Sequence, residues 1–238
     1  MLLKVEGLYK SYGSKIAVKN FTMEIDKGEV VGILGPNGAG KTTSFYMVCG
    51  LIASAKGSVI FEGKNVEKMS FSRRSKMGIG YLPQESSIFK TLSVRDNIMS
   101  GIEIRHKDPA LRERIYNEIV TDLHITHVQD RKGSLLSGGE RRRVEVGRLL
   151  GISPKLILLD EPFAGVDPVA ISEIKDIIQK LSSKGIGVVI TDHNVLETLR
   201  IVDRSYVMYD GRIIAEGNAE AIKSNELVRK VYLGNEFK

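Results

Sequence analysis

The stretch VVGILGPNGAGKTT, Val30 to Thr43, decides how this chain folds. Val30 to Leu34 is an apolar run without alternation, the pattern of a strand covered on both faces of a parallel sheet. It passes directly into Gly35, Pro36, Asn37, Gly38, Ala39, Gly40, Lys41 and Thr42, which satisfies the phosphate-loop spacing G-x-x-x-x-G-K-[ST]. Glycines let the backbone wrap closely around phosphate oxygens, and the amides at the start of the helical run that follows point toward negative charge. Lys41 adds a cation for the β- and γ-phosphates, the Thr42 hydroxyl is a ligand for Mg²⁺, and Thr43 extends the same turn. A nucleoside triphosphate is the expected ligand.

Working outward, further apolar β-type runs occur at Ile79 to Leu82, Leu156 to Asp160 and Gly187 to Thr191. Between the last two, Ile171, Ile174, Ile177, Ile178 and Leu181 make one helical stripe, with Asp167 and Pro168 as its cap and first residue. Asp210-Gly211 between Ser205 to Tyr209 and Arg212 to Glu216 predicts a tight hairpin. Leu2 to Glu6 and Phe21 to Ile25 predict an antiparallel portion near the start. From about Ser93 to Leu150 the chain lacks convincing strands and reads as a helical lobe. The expectation is an α/β nucleotide-binding domain with core segments at about 1–85 and 155–238 and an inserted lobe at about 86–154.

The 238 residues carry 35 Lys plus Arg against 29 Asp plus Glu, a net charge of +6 that decides nothing about partners on its own. No Trp is present and the aromatics are scattered, so no basic tract with interleaved rings favours single-stranded nucleic acid, and none is expected as a partner. No run approaches the roughly 18 apolar residues of a membrane span, and MLLKVEGLYK meets charges too early for a secretion signal, which predicts a cytoplasmic chain. Cys49, the single cysteine, cannot form an internal disulfide and reads as a buried helix residue.

Two more segments carry chemistry. LILLDE places Asp160 and Glu161 at the end of an apolar strand: Asp160 to hold Mg²⁺, directly or through water, and Glu161 to polarise an attacking water. Without the phosphate loop the pair would read as solvated strand-end carboxylates. In LSGGE, Ser137 and Glu140 have capping-box spacing, and Gly138 and Gly139 leave the amides of that helix start open to an anion. No lysine or metal-binding carboxylate adjoins it, so it is half of a nucleotide site.

The ordered set GPNGAGKT, Gln84 in YLPQE, LSGGE, LILLDE, AGVD (Ala164 to Asp167) and His193 in TDHN resembles the ATP-binding-cassette ATPases along almost the whole chain. The resemblance implies a P-loop ATPase core of that type with an antiparallel β portion and a helical subdomain. It also implies a head-to-tail homodimer, in which the signature segment Ser137 to Glu140 caps ATP held by the other subunit. By the same resemblance Tyr12 stacks on adenine, Gln84 senses Mg²⁺, water and the transporter, His193 contacts the γ-phosphate, and Asp167 couples the two sites. Glu140 departs from the commoner LSGGQ ending, which a capping role accommodates.

Finer wording, including ESSIF, the run SGGERRRVEVGR, TDHNVLET and the tail VYLGNEF, is similar to the ATPases of lipopolysaccharide export. This implies LptF/LptG-like membrane subunits and a peripheral place at the cytoplasmic face of the inner membrane. Branched-chain amino-acid importers, whose ATPases end in similar tails, are the transport alternative, and a nucleic-acid-associated ATP clamp the non-transport one. After Gln84, the side chains Ile88, Phe89 and Leu92 are expected to form an exposed apolar patch for a partner helix, or else to pack the lobe. His124 and His127 lack further ligands nearby and read as surface residues.

Overall fold

Strands exposed on one side should alternate, and the N-terminal strands do. In the computed structural model, which describes residues 1–164 and 167–233, β1 (Leu3–Tyr12) buries Leu3, Val5 and Leu8 and leaves Lys4 and Glu6 partly exposed. Strand β2 (Lys15–Ile25) pairs with it antiparallel, Leu3 opposite Ile25 and Tyr12 opposite Lys15. Strand β3 (Val30–Leu34) leaves for a second sheet and runs into helix α1 (Lys41–Cys49). The chain then returns through β4 (Lys56–Phe61) and β5 (Lys64–Asn65) to complete a four-stranded sheet of order β2-β1-β4-β5.

Helix α2 (Phe71–Met77) leads to β6 (Ile79–Leu82). A helical stretch follows: α3 (Val94–Arg105), α4 (Pro109–Asp122) and α5 (Gly138–Leu150). Then come β7 (Leu156–Asp160), α6 (Pro168–Ser183), β8 (Gly187–Thr191), α7 (Val195–Leu199), β9 (Arg204–Tyr209) and β10 (Arg212–Gly217). The chain closes with α8 (Ala219–Ser224) and α9 (Glu226–Val228), which continues into a wide helical turn at Arg229–Leu233.

The second sheet has the order β10-β9-β3-β8-β7-β6. All its pairings are parallel except β10 with β9, which the Asp210-Gly211 turn joins as a hairpin; both residues have positive φ, 45° and 76°. The uninterrupted apolar runs have a direct cause. In β7, Leu156 and Leu158 enter the core shared with the antiparallel sheet and α1, while Ile157 and Leu159 enter the core shared with α5 and α6. Val189 and its neighbours Val188 and Ile190 divide the same way. A strand walled on both sides keeps its polar residue to the last position, Asp160 in β7 and Thr191 in β8.

Side-chain caps fix most helix starts. Ser93 accepts from the Asp96 amide, Asp108 from Ala110 with Pro109 in the first turn, and Asn194 from Glu197. The C-terminal end of α1 is closed by a different device. Arg74 of α2, only 2% exposed, donates to the carbonyls of Met47 and Val48, both at 2.7 Å, and to Met69 and Glu67. Cys49 lies fully buried in the same place, where burial pushes its thiol pKa far up, so it is inert.

Among the described residues no helix is long and apolar enough to cross a membrane. Gly165 and Val166 of the AGVD segment, and Gly234 to Phe237 of the tail, lie outside the described residues.

Candidate active site

The turn after β3 is possible only with glycine at its ends. Gly35 and Gly40 have φ of 148° and 104°, and an added Cβ would meet the Met208 carbonyl oxygen at 2.2 Å and the Ala17 carbonyl oxygen at 2.5 Å. With Gly40 as its N-cap, α1 starts without a side-chain cap, so its leading amides are left for a ligand. Asn37, Gly38, Ala39, Gly40, Lys41, Thr42 and Thr43 line a cleft of about 360 Å³ together with Tyr12, Lys15, Ala17 and Glu161. Tyr12 is half exposed at its rim. Gly35 and Pro36 lie outside this lining and offer their carbonyls to Lys41 Nζ at 2.7 and 3.2 Å. Lys41 is therefore folded back on its own loop. Burial pulls its pKa below the usual lysine range, opposed by the charges of Glu161, Asp160 and Asp192.

Asp160 and Glu161 occupy unlike settings. Asp160 is buried, with Oδ1 accepting from the Thr191 hydroxyl at 2.5 Å and Oδ2 from the Tyr81 hydroxyl at 3.2 Å. Glu161 has a positive φ of 46°, held by its amide donating to the Thr191 carbonyl at 2.8 Å. A non-glycine residue held in that region is strained and needs a surrounding structure that fixes it. From this turned backbone Glu161 lines the cleft. Gln84 Nε2 donates to Glu161 Oε2 at 2.7 Å, and His193 Nδ1 lies 3.4 Å from the same oxygen. His193 is itself largely exposed.

Three partners in this cluster were not singled out by the sequence. Tyr81 and Thr191 fix Asp160. Asp192, fully buried, accepts from the Phe163 amide at 3.2 Å and the Asn194 amide at 2.7 Å, joining the segment after β7 to that after β8. The only signal available was the polar pair Thr191-Asp192 ending an otherwise apolar strand.

The signature segment stands apart from the cleft. Ser137 Oγ accepts from the Glu140 amide at 3.3 Å and Glu140 Oε2 from the Ser137 amide at 2.8 Å, a complete capping box at the start of α5. The Ser137 amide holds the Glu140 carboxyl below the usual carboxylate range, aided by Arg131 and His127. Ser137 and Gly138 are exposed, and a Cβ at Gly138 would meet nothing within 4 Å. None of Ser137, Gly138, Gly139, Glu140 and Asp167 lines the phosphate-loop cleft. Asp167 is exposed, and its carbonyl accepts the Ile171 amide of α6 at 3.0 Å.

The apolar patch after Gln84 needs one correction. Ile88 is buried in the core beneath α3 and α5, because its amide is drawn inward onto Glu145, so it is no surface residue. Phe89 and Leu92 are exposed. Phe89, with Phe71, Ile104, Leu149, Ile152 and Arg148, lines a mainly apolar groove of about 370 Å³; Leu92 does not.

A family model described as "ABC transporter" matches residues 18–164. The chain belongs to the ABC transporter ATP-binding family. The cassette is 49% identical to the "Lipopolysaccharide export system ATP-binding protein LptB" of Haemophilus influenzae, covering 100% of this chain and 99% of that protein. It is 48% identical to the protein of the same name from Escherichia coli (strain K12), covering 99% and 98%. A second family model, "Branched-chain amino acid ATP-binding cassette transporter", matches only residues 212–238. Among solved structures, the ADP conformation of MJ1267, an ATP-binding cassette of an ABC transporter, superposes with a TM-score of 0.88 at 31% identity, covering 98% and 99% of the two chains. The cassette thus binds nucleotide and couples ATP hydrolysis to transport, on the expected ABC-type P-loop fold.

Proposed function

We propose that this cassette is the ATPase of a lipopolysaccharide exporter, working as a homodimer on LptF/LptG-like membrane subunits at the cytoplasmic face of the inner membrane. The observation that carries the reading is likeness along the whole chain, at 49% identity, to a protein named for lipopolysaccharide export. The match of residues 212–238 to the branched-chain amino-acid model favours the importer reading, but it covers only the tail.

In this reading Tyr12 offers its flat face to adenine, and the backbone from Gly35 to Thr43 surrounds the phosphates. Lys41 leaves the Gly35 and Pro36 carbonyls to meet the β- and γ-phosphates. The Thr42 hydroxyl, the Asp160 carboxylate and the Gln84 amide oxygen are hard donors that suit Mg²⁺, which when bound neutralises charge on the phosphate oxygens. Glu161 takes the proton of the attacking water, Gln84 and His193 hold its carboxylate in place, and His193 also reaches the γ-phosphate. The chain's own Ser137, Gly138, Gly139 and Glu140 cap the nucleotide of the second copy, with Asp167 linking the two sites. This division of labour fits their separation from the cleft within one chain.

Residues at about 86–154 form a lobe that turns against the core at about 1–85 and 155–238, and the groove beside Phe89 receives the membrane partner. ATP joins the two copies and cleavage lets them part, so closure rather than bond breaking moves the partners. Purification of the complex from native membranes tests the assignment: lipopolysaccharide and two LptF/LptG-like subunits are expected. Co-purification of a permease with a soluble amino-acid receptor would reverse it.

A further inference from the structure

Three charged side chains on α5, Arg142, Glu145 and Arg148, recur every three residues, so they share one face of that helix. They meet the loop that follows β6. Glu145 is 3% exposed, and its Oε1 accepts from the Ser86 hydroxyl at 2.7 Å, the Ser87 amide at 2.7 Å and the Ile88 amide at 3.1 Å. Its Oε2 receives Arg142 Nη1 at 3.3 Å. The same Arg142 donates to the Pro83 carbonyl at 2.9 Å and to the Asp160 carbonyl at 3.4 Å. Arg148 donates to the Ser87 hydroxyl at 2.6 Å and stacks its guanidinium 4.7 Å from the centre of the Phe89 ring.

Ser86, Ser87 and Ile88 thus tie the loop to α5 between two residues with different tasks. At one end Gln84 touches Glu161 in the cleft. At the other Phe89 faces the groove, its amide and carbonyl both bound by the buried Asn97 side chain of α3. A buried ion pair contributes little net stability compared with an apolar replacement of the same size. Three donors converging on one carboxylate oxygen do, however, set the geometry of a loop that has no secondary structure of its own.

We propose that Glu145 is a positioning residue for ATP hydrolysis: it clamps Ser86, Ser87 and Ile88 to α5 so that Gln84 and Phe89 move together as one rigid loop. The proposal rests on the assignment of Glu161 and Gln84 to the hydrolytic site.

The test uses the full chain carrying Glu145→Gln or Ser86→Ala. In Glu145→Gln, amide hydrogen exchange at Ser87 and Ile88 rises at least about tenfold, kcat falls at least about tenfold, toward the roughly hundredfold that a misplacement of about 1 Å can cost, and KM for ATP stays within about twofold. Ser86 is exposed, so Ser86→Ala folds whether or not the first variant does, and it shifts exchange and kcat the same way by about two- to threefold. In the transporter purified with its membrane subunits, the factor by which those subunits raise turnover drops toward one in Glu145→Gln. Wild-type exchange at Ser87 and Ile88, an unchanged kcat, or an unchanged stimulation factor would each overturn the proposal. A separate Glu161→Gln control identifies failure of the site assignment itself: there turnover persists, while the exchange result on Glu145 still stands.

Discussion

The Gln84 side-chain amide lies 2.7 Å from Glu161 Oε2, joining two loops that leave the ends of adjacent parallel strands. Because parallel strands finish at the same edge of the sheet, residues 77 positions apart in sequence meet at the phosphate-loop cleft. The contact ties the loop that runs on to Phe89 to a carboxylate that lines the cleft.

Glu161→Gln should bind ATP with affinity within about threefold of the parent and lose at least about a hundredfold in turnover, the usual contribution of a general base. Nucleotide titration and phosphate release measure the two quantities separately. Turnover within tenfold of the parent would remove Glu161 from that role.

Lys41→Ala deletes the cation that now rests on the Gly35 and Pro36 carbonyls. ATP affinity is expected to fall at least about tenfold, as for loss of a charge-assisted contact worth ~1.5–3 kcal/mol, and hydrolysis should disappear. Equilibrium binding of a fluorescent ATP analogue decides it, and parent-like affinity is the contrary result.

Arg74→Ala removes the guanidinium donor from the Val48 carbonyl and leaves Met47 only the Gly50 amide, so unfolding in urea should lose about 3 kcal/mol. Arg74→Lys recovers only part of this, because one ammonium cannot reach the carbonyls of Met47, Met69 and Glu67 in the fork geometry of a guanidinium. Equal stability of the three proteins would contradict the role given to Arg74.

The Glu140 carboxyl titrates below its ordinary value of 4.5 when folded, chiefly through the Ser137 amide. A depressed folded pKa contributes stability above about pH 4.5 that is lost as pH falls through the folded value. Thermal melts of the parent and of Glu140→Gln should therefore differ above pH 4.5, by an amount on the scale of a helix cap at ~1 kcal/mol, and converge in acid. A gap that widens on acidification would refute the linkage.

Phe89→Ala should weaken capture of the membrane subunits at least about tenfold, since the ring is exposed in the groove and anchors of this kind carry ~2 kcal/mol. A pull-down with purified subunits reads it, with ATP affinity holding within about twofold. Undiminished capture would return Phe89 to lobe packing.

Four core strands, at Val30–Leu34, Ile79–Leu82, Leu156–Asp160 and Gly187–Thr191, were legible to the residue because burial on both faces writes an unbroken apolar run. The antiparallel sheet was only half legible. β1 and β2 run on to a turn at Gly13 and Ser14, through irregular pairing beyond Val5 that blurs the alternation, and β4 went unread because Lys56, Gly57 and Ser58 open it with no apolar residue.

In the candidate site, Gly38, Gly40, Lys41 and Glu161, which line one cleft, could be read from the G-x-x-x-x-G-K-[ST] spacing and from the carboxylates that end an apolar strand. The chain by itself determined the phosphate loop, the two-faced strands and the capping box, all local matters of sterics and hydrogen bonding within a few residues. Only the tertiary structure decided that Ile88 turns inward while Phe89 turns out, and that Arg74, Glu145 and Asp192 are buried at all. A charged residue enters a protein interior only where distant backbone groups converge to replace its water, and that convergence is a property of the packed elements.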